Sequence, residues 1–424
     1  MSKYNRVSPV KVIMIILAVL LIFAAAALAV FIYGDNLRQE TINSDVDSSF
    51  LFGTCKGNVN SVSLEEELIS FRSMENYNGE VSRLSSGYYL ERLKKGDEKE
   101  AISLYNALIY AYNNDYNFIS VPSAYYTEDI MVKAVYYANG DLPIMDSNIQ
   151  IGAAESSITL ADGTVSKRYY VYLPTGSTSH LNYKRKAVDE AKRLVAAMPE
   201  TVMTEMQKAE YWHDWMVQNV RYTTEEGYAG RNPHYLYDAL IGKCSDFDGI
   251  SRAYTLLLNA SGVECTTIFR NETNLVSAYT WNIFRAESAY YQTDVTQDMN
   301  VYTLGIGNLK QNFCLSASAM GNGEYHRILR ADVPVCDATS HDNDHVDAVV
   351  PGTDTAYKDA EGMIALRQRL DNGEEYVTLR CPVFAEKEWP DNFAVVSRWF
   401  ADTKVSFKVS NTGTQTVVLY RKGA

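Results

Sequence analysis

Residues Gly242 to Cys265 read GKCSDFDGISRAYTLLLNASGVEC, and a cysteine stands three positions ahead of an apolar helical stripe. Phe247, Ile250, Tyr254, Leu257 and Leu258 fall on one face of a helix. Ser245 or Asp246 just before them suits an N-cap. A thiol at the head of such a helix is acidified by the helix dipole and becomes a nucleophile when an imidazole stands beside it. His234 and His326 are the histidines that could serve Cys244. The question is whether Cys244 occupies the head of the helix or only the loop before it.

The surrounding segments narrow the answer. Tyr211-Trp212-His213-Asp214-Trp215 leads through Asn219-Val220-Arg221-Tyr222 toward Asp238-Ala239-Leu240 and Gly242-Lys243. Asp248-Gly249-Ile250-Ser251-Arg252-Ala253-Tyr254 and Gly262-Val263-Glu264-Cys265 follow, then Tyr279-Thr280-Trp281-Asn282, Asp294-Val295-Thr296 and the segment from Phe313 to His326. In this order and at these distances the chain resembles the transglutaminase-like superfamily, a papain-like thiol fold, closely over about 200–330 and loosely over 85–200. The resemblance implies a Cys-His-Asp site that attacks a carboxamide or peptide carbonyl.

It also implies a frame in which the nucleophile lies about four helical turns before the terminal glycine. Counting back from Gly262 reaches Phe247, and the histidine position of the family's H-x-W-N holds Tyr279. Asp294 alone is retained. Phenylalanine has no nucleophile, and a tyrosine with a reference pKa of about 10 is a poor base at neutral pH. The expectation is a domain that keeps the fold without its chemistry, with Asp294 accepting a hydrogen bond from the Tyr279 hydroxyl or capping a turn. Such a domain would bind through the old cleft, lined by Tyr279, Trp281, Tyr290 and Tyr291. The rival reading is an active thiol acyltransferase or peptidase using Cys244.

The elements that must position these residues follow from periodicity. The fold class expected is α+β: a central helix on an antiparallel sheet, with a small C-terminal α+β unit. Tyr88 to Asn113 has helical spacing interrupted near Gly96, and a second helix starts at Glu128. Residues 147–174 alternate in strand fashion around Ala161-Asp162-Gly163, a hairpin signal. Tyr183 to Tyr222 is mostly helical. The expected divisions are a stalk at 34–84, an N-terminal α+β region at 85–200, the transglutaminase-like core at 201–336, a polar linker at 337–356 and the terminal unit at 357–424. Ser340 to Asp347, SHDNDHVD, has the residue types of a cation site, but its spacing fits neither an EF-hand loop nor a helical zinc pair; no metal or cofactor is expected.

The N-terminus sets the compartment. Lys3, Arg6 and Lys11 precede an uncharged run from Val12 to Tyr33, about 33 Å long as a helix at about 1.5 Å per residue. The basic flank should stay inside, so the expectation is a single-pass cell-membrane protein, residues 1–11 cytoplasmic and the bulk extracellular. A cleaved signal with Ala27-Leu28-Ala29 at its end is the other reading. A net charge of −13 argues against nucleic acid as a partner, leaving a protein, peptide or glycan of the cell envelope. Six exported cysteines permit disulfides without defining a pairing.

Overall fold

A computed structural model describes residues 51–53, 69–70, 84–113, 116, 118–123, 127–145, 150–159, 165–173, 178–199, 202–224, 235–270, 279–321, 326, 332–384, 388–413 and 415–421. The apolar run at 12–33, most of the stalk, Cys55 and His234 lie outside them. Among the described residues no helix is long and apolar enough to cross a membrane.

The chain is mixed helix and sheet, in the expected order. Strands β1 (Leu51–Gly53) and β2 (Ile69–Ser70) precede helices α1 (Tyr88–Lys95) and α2 (Lys99–Asn113), which part at Gly96. Then come β3 (Phe118–Pro122), α3 (Glu128–Asp141), and the antiparallel pair β4 (Gln150–Thr159) and β5 (Val165–Tyr172). These strands form a five-stranded sheet in the order β2-β1-β3-β5-β4. Helices α4 (Thr178–Ala196) and α5 (Glu205–Asn219) follow, the second closed by a Thr204/Gln207 capping box. A two-residue strand β6 (Arg221–Tyr222), a short helix α6 (Leu236–Leu240) and β7 (Cys244–Ser245) lead into the central helix α7 (Phe247–Ala260).

Strands β8 (Cys265–Phe269), β9 (Thr280–Ala286) and β10 (Ala289–Thr293) make an antiparallel sheet in the order β10-β9-β8. The central helix is clamped to its inner face by polar bonds. Asn282 donates to the Ser251 carbonyl at 2.9 Å and to Thr255 Oγ1 at 2.7 Å, and Ser251 donates to the Thr280 carbonyl at 2.9 Å. Arg252 pairs with Asp248 at 2.8 Å and reaches the Met145 carbonyl beyond α3 at 2.5 Å. Much of the motif that carries the family resemblance is therefore architecture. One apolar cluster runs from Leu84 to Cys314, so the regions expected at 85–200 and 201–336 fold around a shared core.

Helix α8 (Val295–Val301) and the single turn α9 (Ala317–Met320) complete this body. The C-terminal unit has its own apolar cluster, from Val350 to Leu419. It comprises β11 (Ala348–Val349), α10 (Glu361–Asp371), β12 (Tyr376–Arg380), α11 (Trp389–Trp399), β13 (Phe407–Asn411) and β14 (Thr416–Arg421). The segment expected as a solvated linker is seated rather than loose. Asp342 accepts from the Ser316 amide and hydroxyl, both at 2.7 Å, and β11 runs parallel to β12. All five cysteines among the described residues are free.

Candidate functional site

Phe247 is the first residue of the central helix. Asp246 caps the helix, its carboxylate accepting from the amides of Asp248 at 3.0 Å and Gly249 at 3.2 Å. Gly249 is required by close approach, since a Cβ there would lie 2.0 Å from Ser245 Oγ and 2.7 Å from the Tyr235 carbonyl oxygen. Cys244 lies in the loop before, paired in a parallel bridge with Arg221. That loop is held by two contacts of Lys243. Lys243 takes a left-handed φ of 56° and sets its ammonium 4.3 Å from the Trp215 ring centroid, while the Arg221 amide donates to its carbonyl at 2.9 Å. The half-buried Cys244 thiol makes no hydrogen bond among the described residues.

Tyr279 stands at the start of β9, its ring 5.1 Å from that of Phe247. Its hydroxyl donates to Asp294 Oδ2 at 2.7 Å, and Asp294 Oδ1 caps α8 through the Gln297 amide at 3.0 Å. Both expected roles of Asp294 are thus filled together. The same Oδ2 is met by His326 Nε2 at 2.7 Å. An imidazole therefore does stand at this site, supplied from a different point in the chain and packed edge-on against Tyr279 and Trp281 at 5.9 and 5.4 Å. Burial, and then the Asp294 carboxylate, push the Tyr279 phenol well above its ordinary range, so it is a hydrogen-bond donor and not a base.

Ile268, Ile283, Val333 and Cys336 close over this group in one buried cluster, against which Phe247 and Tyr290 pack. Cys336 carried no sequence signal. Its thiol is buried and pushed up to about 12 by desolvation, the opposite of a reactive cysteine.

Of the four aromatic residues expected to line one cleft, Tyr279, Trp281 and Tyr290 share the outer face of the sheet, and Tyr291 turns to the inner one. Trp281 is fully buried and donates from Nε1 to Gln292 Oε1 at 2.8 Å. Tyr291 is 2% exposed and meets Ser340, on the inner side with Phe284. Tyr290 pairs with Arg285 on the outer face. Consecutive strand residues point to opposite faces, so the alternation of Tyr290 and Tyr291 in the sequence already contained this separation.

Two further histidines are bonded to carboxylates away from this cluster. His213, on α5, is fully buried between Asp298 at 3.0 Å and Asp214 at 3.5 Å. Burial pulls its pKa down, but the bonds to both carboxylates outweigh this and hold it above the ordinary value. In the run at 340–347, His341 is bonded to Asp344 at 2.7 Å and to Glu287 at 3.2 Å, and no group able to hold a metal occurs among the described residues.

No protein-family model and no curated protein matches the chain. Among solved structures it is similar to a provisionally named cysteine protease from Cytophaga hutchinsonii, at 11% identity over 35% of this chain and 62% of that one, with a TM-score of 0.21. It is also similar to a TGase at 9% identity, over 35% of this chain and 45% of that one, with a TM-score of 0.23. A provisionally named protease from Parabacteroides distasonis ATCC 8503 is similar at 8% identity, over 63% of this chain and 62% of that one, with a TM-score of 0.25. The chain spans less than two thirds of the length of each. What the site can do is therefore read from its own residues.

Proposed function

We propose that this chain is a transglutaminase-like domain without thiol catalysis, anchored by Val12 to Tyr33 and acting outside the membrane by binding a protein, peptide or glycan of the cell envelope. The observation that carries this reading is the state of the Asp294 carboxylate. It holds the Tyr279 hydroxyl and the His326 imidazole in a buried cluster headed by Phe247, and the cysteine of that cluster, Cys336, has its thiol pushed up to about 12 by burial. Asp294 is the group that would orient a catalytic base, and here it is part of the packing.

The decisive experiment incubates the purified ectodomain with a glutamine-containing peptide and hydroxylamine, and separately with iodoacetamide. The expected result is no hydroxamate, no peptide cleavage, and alkylation of Cys244 no faster than that of a free thiol. Turnover that disappears in Cys244→Ala would overturn the reading and establish the thiol enzyme. Protease accessibility of the ectodomain on intact cells tests the compartment: digestion from outside is expected, and full protection would refute it.

A further inference from the structure

The outer face of the β8–β10 sheet is sealed at the Tyr279 end and open at the other. About 20 Å along β9, at about 3.4 Å per residue, a cavity of about 280 Å³ lies between α1 and the sheet. Tyr88 and Tyr290 form an aromatic corner, ring centroids 5.6 Å apart and edge-on. The charged lining is Glu91, Arg92, Lys95, Glu264 and Arg285.

The partners of these charges decide what the cavity suits. Glu91 is bonded by Lys94 at 3.1 Å, one turn along α1. Glu264 forms an ion pair with Arg285 at 3.6 Å and accepts a hydrogen bond from the Tyr290 hydroxyl at 2.8 Å. Both carboxylates are thus answered within the protein, while Arg92 and Lys95 have no carboxylate partner among the described residues. Arg92 stands one turn along α1 from Tyr88, and both line the cavity. Two unanswered cations on adjacent turns of one helix, facing a concave wall, are unusual in a chain of net charge −13. The last turn of α1 also carries Lys94, and dipole complementarity alone would place cations there. It would not place them in a cavity against two tyrosine rings.

We propose that this cavity binds a small carboxylate-bearing ligand, the size of one sugar acid or one amino acid, with Arg92 and Lys95 taking the carboxylate. Tyr88 and Tyr290 offer apolar ring surface to the body of the ligand. The free lone pairs of Glu264 accept from its hydroxyl or amide donors. The cavity is independent of the thiol question: activity at Cys244 would leave it untouched, and its absence does not create it.

The test titrates the ectodomain with glucuronate and with N-acetylalanine, following ligand saturation-transfer signals, and uses glucose and N-acetylalanine amide as neutral partners of each. At least one carboxylate is expected to saturate while its neutral partner does not, and which one does separates a sugar source from a peptide source. Arg92→Gln with Lys95→Gln should weaken that binding about tenfold or more, as removal of charged hydrogen bonds does. Both side chains are exposed, so an unchanged thermal melt certifies the variant as folded. Tyr290→Leu, in the opposite wall, should weaken it as well. Neither carboxylate saturating, neutral partners binding equally, inorganic phosphate competing as well as the carboxylate, or indifference to the double variant would each overturn the proposal.

Discussion

The two ends of strand β9 share a sheet face and differ in how their polar groups are used. At the Tyr279 end the groups that look catalytic are bonded to one another in the buried interior: phenol to carboxylate, carboxylate to imidazole Nε2, indole to amide, with His326 Nδ1 left unpartnered among the described residues. At the Arg285 end the carboxylates are bonded but two cations are left facing a cavity. The residue types that look catalytic lie at the first end, and the capacity to take a ligand lies at the second. A buried polar network that is complete stabilises and fixes a core, whereas an incomplete one at a surface recess is available to a partner.

Breaking the sealed end should have the largest effects. Trp281→Ala removes a fully buried indole and leaves Gln292 without its donor, and we expect a loss of about 4 kcal/mol in urea unfolding. Asp294→Ala strands the Tyr279 hydroxyl and the His326 imidazole, and about 3 kcal/mol should be lost in the same measurement. A result under 1 kcal/mol at Asp294 would mean that water reaches the site and that the contrast between the two ends is weaker than the geometry implies.

A pH series sharpens the same comparison with a smaller effect. His213 is held above its ordinary value in the folded chain, so its stabilising contribution is full below the unfolded value of about 6.5 and is lost as pH rises through the folded value. Unfolding free energy should therefore fall with rising pH on the alkaline side of about 6.5, and His213→Phe should flatten that slope. At the open end, Arg285→Gln should change stability by less than about 0.5 kcal/mol, since its pair with Glu264 is exposed. A large loss there would show that the recess is a structural seam and not a site.

The helix register, and with it the identity of residue 247, was legible because a 3.6-residue repeat and a terminal glycine fix the frame without tertiary information. The bond between Tyr279 and Asp294 was legible for the same reason: an antiparallel strand and the start of the next helix bring fixed positions together. His326 reads from the sequence as a candidate imidazole for Cys244, but its bond to Asp294 was not legible, and neither was Cys336, because both reach the site from a segment whose path depends on packing and not on periodicity. The cavity was invisible for a related reason. Arg92 and Lys95 read as ordinary helix-surface cations, and only the placement of α1 against β9 and β10 sets them opposite Tyr290. Tyr291 was assigned to the wrong face on a point the sequence did contain, the opposite facing of neighbouring strand residues.

The Asp246 cap bears on any attempt to restore a thiol. Its carboxylate sits on the amides of Asp248 and Gly249, where the positive end of the helix would otherwise be felt. A cysteine introduced by Phe247→Cys would find those two amides already taken by the Asp246 side chain. Freeing those amides would require a neutral cap such as serine at position 246 in the same molecule, so building a thiol nucleophile at this helix head takes at least two simultaneous changes.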